Sequence, residues 1–452
     1  MNIIIIGCGK VGTTLAEQLV KEEHNVVMID NSPERVQRVS EDIDAIRLVG
    51  NGASIAIQME AGVQSADILI AVTGSDELNL LCCLIARKAG SCHTIARVRN
   101  PVYSREINFI KEQLGISMII NPEMAAATEI SRILRFPSAI KIDTFAKGRV
   151  ELLKFKLKPE FNLNGMTVMD VDLRLRCNVL FVGVERGEEV FIPDGRFELQ
   201  DGDMVSIIAA PERSAEFFHK IGVQTNQVKN ALVVGGGTIA YYLAQQLSGM
   251  RIKVKILEKN RERCDYLIEH LENTLIINGD GTDRKILLEE GLSNAESFVT
   301  LTNVDEENVF LALYAKNNSK AKLVTKVNRI AFDEMISQMD LGSTISPKYI
   351  TADYILQYVR AMRNSIGSNV ETLYHILDGG AEALEFVIRE DSEVTGVPLM
   401  NINLKKNILI GCINRGGEVH IPRGQDCILK GDTVVVVTTQ RGLHDIRDIL
   451  KK

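Results

Sequence analysis

The sequence lacks the excess of positive charge that nucleic acids attract. It contains 52 lysines and arginines against 59 aspartates and glutamates, which gives a net charge of −7 and a pI near 5.7. A surface that neutralises many phosphates normally shows as a basic excess. Nucleic acid is therefore not an expected partner.

Long hydrophobic runs and low-complexity stretches are also missing. Apolar runs such as IIII at 3–6 and VVVV at 434–437 are far shorter than the roughly 18 to 20 residues that cross a bilayer. The N-terminal run has no basic residues before it and leads directly into a glycine turn, which predicts a first strand rather than a signal peptide. We expect the whole chain to fold and to stay out of the membrane.

The cysteines and the catalytic motifs show two further absences. Eight cysteines are scattered with no CxxC pair, which favours reduced thiols packed as small hydrophobes in a cytosolic protein and predicts no metal site. No tyrosine is followed four residues later by lysine, the seven histidines are scattered, and no GxxxxGK[ST], GxSxG or HExxH motif occurs. No catalytic residue is predicted, and the pattern argues against an enzyme.

The sequence does contain an internal repeat, a unit of about half the chain that occurs twice. The turn GCGKVG at 7–12 corresponds to GGGTIA at 235–240 with an offset of 228, and VTGSDELN from Val72 corresponds to LTNVDEEN from Leu301 with an offset of 229. RGEEVFIPDG from Arg186 matches RGGEVHIPRG from Arg415 at the same offset. Each copy therefore has a long part with a glycine turn and a short part with an IP-x-G signature.

The pattern predicts an α/β protein with two tandem Rossmann-like parallel-sheet domains, each followed by a small α+β domain. In the long parts, short β-branched runs alternate with segments of helical spacing, which is typical of a parallel sheet covered by helices. The short parts alternate strand, turn and strand. We predict Rossmann-like domains at 1–120 and 229–345, crossover helices at 121–140 and 346–366, and small domains at 141–225 and 370–452.

The two crossover helices allow two interpretations. In the first, Met124, Ala127, Ile130 and Leu134 share a face, and in the second Ile355, Val359 and Met362 do. Most amphipathic helices pack on their own domain, and spacing alone favours that arrangement. The alternative is that each helix packs on a neighbouring subunit.

The glycine turns predict dinucleotide binding because each follows a strand, opens a helix and precedes an acid at the end of the next strand. Gly7 permits the tight turn, Gly9 leaves room for a pyrophosphate, and Gly12 lets helix and strand approach. Asp30 would accept hydrogen bonds from ribose hydroxyls and repel a 2′-phosphate, which favours NAD(H), ATP or ADP over NADP(H). Glu258 indicates the same for the second copy, where Ala240 replaces the third glycine.

The two predicted pockets differ in charge. The first has Lys10, Asn51 and Arg97, whereas the second has Thr238, Asp280 and Lys326 in the same places. Because Asp280 adds a negative charge near the phosphates, we predict that the first pocket tolerates a polyphosphate better.

In their order along the chain, these motifs resemble the TrkA family of cytosolic regulatory proteins of Trk potassium uptake. The resemblance rests on GCGKVG with Asp30, GNGAS, AVTGSDELN, IARVRN, the INPE helix and VFIPDG with LQDGD, and it covers essentially the whole chain. It implies NAD(H) and ATP or ADP as regulatory ligands, a homotetramer, and cytoplasmic placement on the inner face of the membrane beside an integral potassium-translocating subunit.

The resemblance also implies two sets of nucleotide contacts. They are Gly7, Cys8, Gly9, Lys10, Val11, Asp30, Thr73, Gly74 and Arg97 in the first copy, and Gly235, Gly236, Gly237, Thr238, Ile239, Glu258, Thr302 and Lys326 in the second. Two other functions stay open from the residues alone: a soluble NAD-dependent oxidoreductase with unrecognised catalytic groups, and a cytosolic nucleotide sensor without a membrane partner.

Overall fold

The computed structural model describes most of the chain, and its residues fall into two compact units. The described residues are 1–39, 43–104, 106–135, 141–145, 150–187, 189–222, 228–328, 339, 341–365, 370–377, 380–440, 442–443 and 445–451. Unit 1 comprises Met1–Ser131 with Lys229–Val359, and unit 2 comprises Arg132–Val228 with Arg360–Lys452. Each unit thus combines matching parts of both sequence copies.

The first half of unit 1 is a six-stranded parallel sheet with order β3-β2-β1-β4-β5-β6. Its strands are β1 (Asn2–Ile6), β2 (Asn25–Asp30), β3 (Ala45–Val49), β4 (Ile68–Ala71), β5 (His93–Arg97) and β6 (Met118–Ile120). Its helices are α1 (Lys10–Lys21), α2 (Pro33–Gln37), α3 (Ile55–Glu60), α4 (Asp76–Ala89), α5 (Pro101–Ser104), α6 (Ile107–Leu114) and the crossover helix α7 (Pro122–Arg135). The parallel sheet covered by helices that the alternating pattern predicts is confirmed, and it has six strands.

Burial explains why the central strands are continuous apolar runs. In β1 and β4 almost every residue is buried, because helices cover both faces of a parallel sheet. The edge strand β3 alternates between exposed and half-buried residues instead. The isoleucine run at the N-terminus is therefore the centre of the sheet.

Unit 1 contains a second sheet of the same topology, with order β14-β13-β12-β15-β16-β17. The elements numbered β7 to β11, α8 and α9 come earlier in the chain and belong to the first small sheet, in unit 2. They are β7 (Lys141–Phe145), β8 (Val150–Lys156), β9 (Leu180–Arg186), β10 (Glu189–Phe191), β11 (Met204–Ala209), α8 (Val168–Leu175) and α9 (Pro211–Lys220). The strands of the second parallel sheet are β12 (Asn230–Val234), β13 (Lys253–Glu258), β14 (Thr274–Asn278), β15 (Ser297–Thr300), β16 (Lys322–Lys326) and β17 (Ser343–Ile345). Its helices are α10 (Thr238–Gly249), α11 (Arg261–His270), α12 (Arg284–Glu289), α13 (Asp305–Asn318) and the crossover helix α14 (Pro347–Ser365).

Unit 2 consists of two five-stranded antiparallel sheets. The first has order β10-β9-β11-β8-β7, and the second has order β18-β19-β22-β20-β21. The strands of the second are β18 (Val370–Ile376), β19 (Ala381–Val387), β20 (Ile408–Arg415), β21 (Glu418–His420) and β22 (Thr433–Thr438). One apolar cluster joins both sheets, with Val150, Val182 and Ile208 from the first and Ala383 and Val437 from the second. The predicted fold class is confirmed.

The second small domain differs from the first in its helices. Positions matching α8 and α9 form only short 3₁₀ helices, Leu399–Asn401 and Ile446–Ile449, among the described residues. Asparagine favours turns over helix interiors, and Gly442 has a left-handed φ of +81° that a helix excludes. Residues 136–140 and 329–338 of the predicted domains lie outside the described residues.

The repeated signature of the small domains is an ion pair. Arg186 donates from Nε and Nη2 to the two carboxylate oxygens of Asp203, both at 2.8 Å. Arg415 makes the same two bonds to Asp432, also at 2.8 Å. Only arginine provides this planar two-bond geometry, which in the first copy joins the end of β9 to a buried aspartate just before its partner strand β11. The duplicated RG and GD motifs are therefore structural.

Candidate nucleotide sites

Every predicted contact in the first copy follows the carboxyl end of a parallel strand. Gly7 to Gly12 follow β1, Asp30 ends β2, Asn51 follows β3, Thr73 and Gly74 follow β4, and Arg97 ends β5. Because parallel strands end at one edge of the sheet, these residues are brought together there. The second set, Gly235 to Ile239, Glu258, Asp280, Thr302 and Lys326, has the same arrangement on the second sheet.

The first glycine turn has the geometry that its sequence requires. Gly7 has a left-handed φ of +112°, and a Cβ there would lie 3.0 Å from the backbone of Val72 and Thr73. A Cβ on Gly12 would overlap the carbonyl oxygen of Gly7, whereas a Cβ on Gly9 would meet no atom within 4 Å. The turn is therefore tight at Gly7 and Gly12 and open at Gly9.

The second turn keeps the left-handed first glycine, because Gly235 has a φ of +99°. Gly237 again faces open space. Ala240 is 1% exposed, so the methyl group that would not fit at Gly12 is buried here. The second turn therefore accommodates a methyl group at the position where the first turn has no room for one.

Helices α1 and α10 begin with unsatisfied backbone donors. Their N-caps are Gly9 and Gly237, which provide no side-chain hydrogen bond, and neither first turn contains an acid. By contrast, Ser75 caps α4 through a bond from the N–H of Leu78. Uncapped N–H groups at the positive end of a helix dipole attract an anion.

The acid at the end of the second strand holds the glycine turn in both copies. Asp30 accepts from the N–H of Cys8 at 2.8 Å and from that of Ser32 at 2.9 Å. Glu258 accepts from the N–H of Gly236 and of Asn260, both at 2.7 Å. Each carboxylate oxygen can accept a further bond, so both acids combine a structural role with capacity for ribose hydroxyls.

Two buried asparagines outside the predicted contact residues join the ends of the fourth and fifth strands, one in each parallel sheet. Oδ1 of Asn79 accepts from Thr73 N at 2.8 Å and from Thr73 Oγ1 at 2.7 Å, while its Nδ2 donates to Arg97 O at 2.8 Å. Asn308 links Thr302 N and Lys326 O at 2.9 and 3.0 Å. The match of Asn79 with Asn308 across the repeat was the signal that could have identified them.

The cation that ends the fifth strand is half-buried in the first pocket and buried in the second. Burial lowers the pKa of Arg97, whose Nη1 donates to Thr73 O at 3.3 Å and whose Nη2 lies 3.8 Å from Oε1 of Glu123. Burial also lowers the pKa of Lys326, which is 6% exposed. A buried cation gains stabilisation from a neighbouring anion.

The third-strand positions differ between the pockets as the sequence indicates. Oδ1 of Asn51 accepts from the N–H of Ala53 at 3.0 Å. Oδ1 of Asp280 accepts from both the N–H and the hydroxyl of Thr282, and these bonds lower the pKa of its carboxyl. Asp280 is therefore a fixed negative charge at neutral pH.

Each crossover helix contacts the parallel-sheet domain of the other copy. Nδ2 of Asn121, at the start of α7, donates to the hydroxyl of Tyr242 at 3.0 Å, and Ser131 Oγ donates to Gln246 Oε1 at 2.8 Å. In the other direction, the hydroxyl of Tyr358 on α14 lies 3.1 Å from Nδ1 of His93. Each crossover helix therefore reaches the other copy of the repeat within one chain. Neither the own-domain nor the neighbouring-subunit interpretation of the helix spacing specified this contact.

No metal-ligand cluster and no helix capable of crossing a bilayer occur in the described ranges. All eight cysteines carry free thiols, seven of them buried.

Two family models match the chain, each of them twice. The TrkA-N domain model matches residues 3–122 and 231–347, and the TrkA-C domain model matches 152–222 and 383–451. The chain belongs to the TrkA family. The resemblance that the motifs indicated is confirmed.

A full-length relative agrees with this membership, and two solved structures share the fold. Trk system potassium uptake protein TrkA homolog 1 of Methanosarcina mazei is 32% identical over 459 residues, which is 100% of both chains. The GsuK channel bound to NAD has a TM-score of 0.65 at 16% identity, over 97% of this chain and 77% of that chain. GsuK bound to ADP has a TM-score of 0.51 at 14% identity, over 80% and 69%. The likeness to GsuK establishes a shared fold.

Proposed function

We propose that this TrkA-family chain is the nucleotide-responsive regulatory subunit of a potassium uptake system. Its partner is an integral membrane subunit that translocates potassium, and the chain acts on it peripherally from the cytoplasmic side as a homotetramer. NAD(H), ADP and ATP bind as regulatory ligands and are not chemically changed.

The observation that carries the proposal is the paired set of uncapped glycine-turn helices, each at the sheet edge where an acid ends the second strand and a cation ends the fifth. An uncapped helix end and a cation suit a diphosphate, and the acid suits a ribose. The names of the TrkA relatives and the NAD and ADP bound by the GsuK channel support this assignment. We assign the predicted contact residues of both copies to these ligands.

The mechanism follows from differential affinity. A ligand shifts a conformational equilibrium only by the difference in its affinity for the two states, about 1.4 kcal/mol for each tenfold difference. Helices α7 and α14 each form hydrogen bonds with the domain of the other copy. A nucleotide that moves one glycine turn therefore also changes the geometry of these hydrogen bonds. Two sites in each of four subunits would add their effects on one membrane partner.

The test is potassium flux through the membrane subunit reconstituted in vesicles with this chain. Wild type should respond to exchange between NAD(H), ADP and ATP, whereas Asp30→Ala should lose the part of the response that the first site provides. Asp44→Ala is the matched control, because Asp44 is exposed and precedes β3 at the opposite edge of the sheet. Flux that is indifferent to nucleotide in wild type, or consumption of NADH, would contradict the proposal.

A further inference from the structure

A cleft of about 500 Å³ opens beside the first glycine turn. One wall is the start of α1, including Gly9, Lys10 and Glu17, and the other wall includes Lys348 and Tyr349 at the start of α14. The cleft is therefore built by both copies of the repeat. It begins at the glycine whose absent side chain leaves open space.

The polar groups of the cleft favour an anion. The cleft is lined by Lys10, Lys348 and the uncapped N-terminus of α1, and by a single residue with a carboxylate, Glu17. Nζ of Lys348 lies 4.6 Å from the ring centroid of Tyr349, a cation–π distance that restrains the side chain. In the part of the chain that the structure describes, neither lysine forms an ion pair.

The matching position of the first crossover helix has the opposite charge. The sequence NPE at 121–123 corresponds to SPK at 346–348, so Glu123 stands where the second copy has Lys348. Oε1 of Glu123 lies 3.8 Å from Nη2 of Arg97, the cation that ends β5. At matching positions of its two copies, the repeat therefore places a cation in the cleft beside the first glycine turn and an anion beside Arg97.

We propose that Lys348 contacts a phosphate group of the nucleotide bound at the first glycine turn, so that the ligand bridges the two copies of the repeat. The inference rests on the proposed nucleotide site and adds a residue from the other half of the chain. It also gives the first site its preference for the more highly phosphorylated ligand. A charge-assisted hydrogen bond to phosphate strengthens with ligand charge.

The test is calorimetric titration of the full chain with ATP and with AMP. Lys348→Gln should weaken ATP binding about tenfold, the scale of one hydrogen bond to a charged group, and should weaken AMP binding less. Lys348→Arg should retain most of the ATP affinity, because it keeps the charge. Lys88→Gln is the matched control, since Lys88 is exposed at the C-terminal end of α4, away from the carboxyl edge of the sheet.

The outcomes separate this inference from the proposed function. Asp30→Ala identifies which binding event belongs to the first site, and thermal melting verifies that each variant is folded. If wild type binds ATP at an Asp30-dependent site and Lys348→Gln binds it as tightly as Lys88→Gln, Lys348 is not a ligand contact. If wild type binds neither ATP nor AMP, the inference about Lys348 fails. The proposed function fails with it only if titration with NAD, NADH and ADP also gives no binding.

Discussion

Replacing Asn79 by alanine should destabilise the first parallel-sheet domain more than any surface change of equal size. The side chain is fully buried and makes three hydrogen bonds of 2.7 to 2.8 Å to Thr73 and Arg97. Its removal leaves the N–H of Thr73 and the carbonyl of Arg97 without this partner. Each unsatisfied buried group costs about 1 to 3 kcal/mol, so we expect a loss of about 3 kcal/mol in the free energy of unfolding.

Thermal unfolding measures this loss directly. For a domain of 150 to 250 residues, about 3 kcal/mol corresponds to a decrease in Tm of roughly 6 to 12 °C. Asn25→Ala is the control: its side chain is exposed and makes one bond to Asn2, so its effect should stay within about 0.5 kcal/mol. Equal Tm values for the two variants would refute the idea that this asparagine holds the strand ends together.

Three further expectations follow from the structure. Gly12→Ala should weaken nucleotide binding at the first site by displacing α1 from its turn, whereas Ala240→Gly should leave nucleotide binding at the second site unchanged. Calorimetric titrations that give both variants the same change in affinity relative to wild type would contradict this. Burial raises the pKa of the seven buried thiols, so a thiol reagent at pH 8 should modify Cys427 first in the folded protein, and mass spectrometry of the peptides would show any other order. Burial tends to raise the pKa of Asp432, but hydrogen bonds from Arg415 and a backbone N–H outweigh it and lower the pKa, so this carboxylate contributes stability above its unfolded pKa of about 3.9 that is lost as pH falls through the folded value. Asp432→Asn should show a smaller loss of stability between pH 5 and pH 2 than wild type. Thermal melting measures this loss, and an equal decrease in Tm for the two proteins would contradict the expectation.

The sequence was sufficient for the fold class and for the edge of the sheet at which the site residues gather. Glycine spacing, a following acid and β-branched runs are local signals, and each reflects a local steric or hydrogen-bonding requirement. Gly7 illustrates this, because its positive φ is demanded within the turn itself. The predicted ligands and contact residues remain predictions for the titrations to decide.

Other features depend on contacts between distant residues, which no local pattern specifies. The match with Asn308 across the repeat marks the position of Asn79, but its role depends on partners at the ends of β4 and β5 that only the folded sheet brings together. Amphipathic spacing in α7 and α14 shows that one face is buried, but it does not specify which domain buries it. The grouping of the two parallel-sheet domains into one compact unit and of the two small domains into another also depends on contacts between residues far apart in the sequence.

The reciprocal crossover contacts have a consequence for cutting the chain. A fragment that ends near residue 228 keeps Asn121 and His93 but loses Tyr242 and Tyr358, the groups that they meet. Two such fragments carry surfaces related to those of the missing half, so they should associate with each other as a symmetric dimer. In that dimer each cleft would contain Glu123 in place of Lys348. The nucleotide preference measured on the truncated protein would therefore differ from that of the full chain, because the charge in the cleft is different.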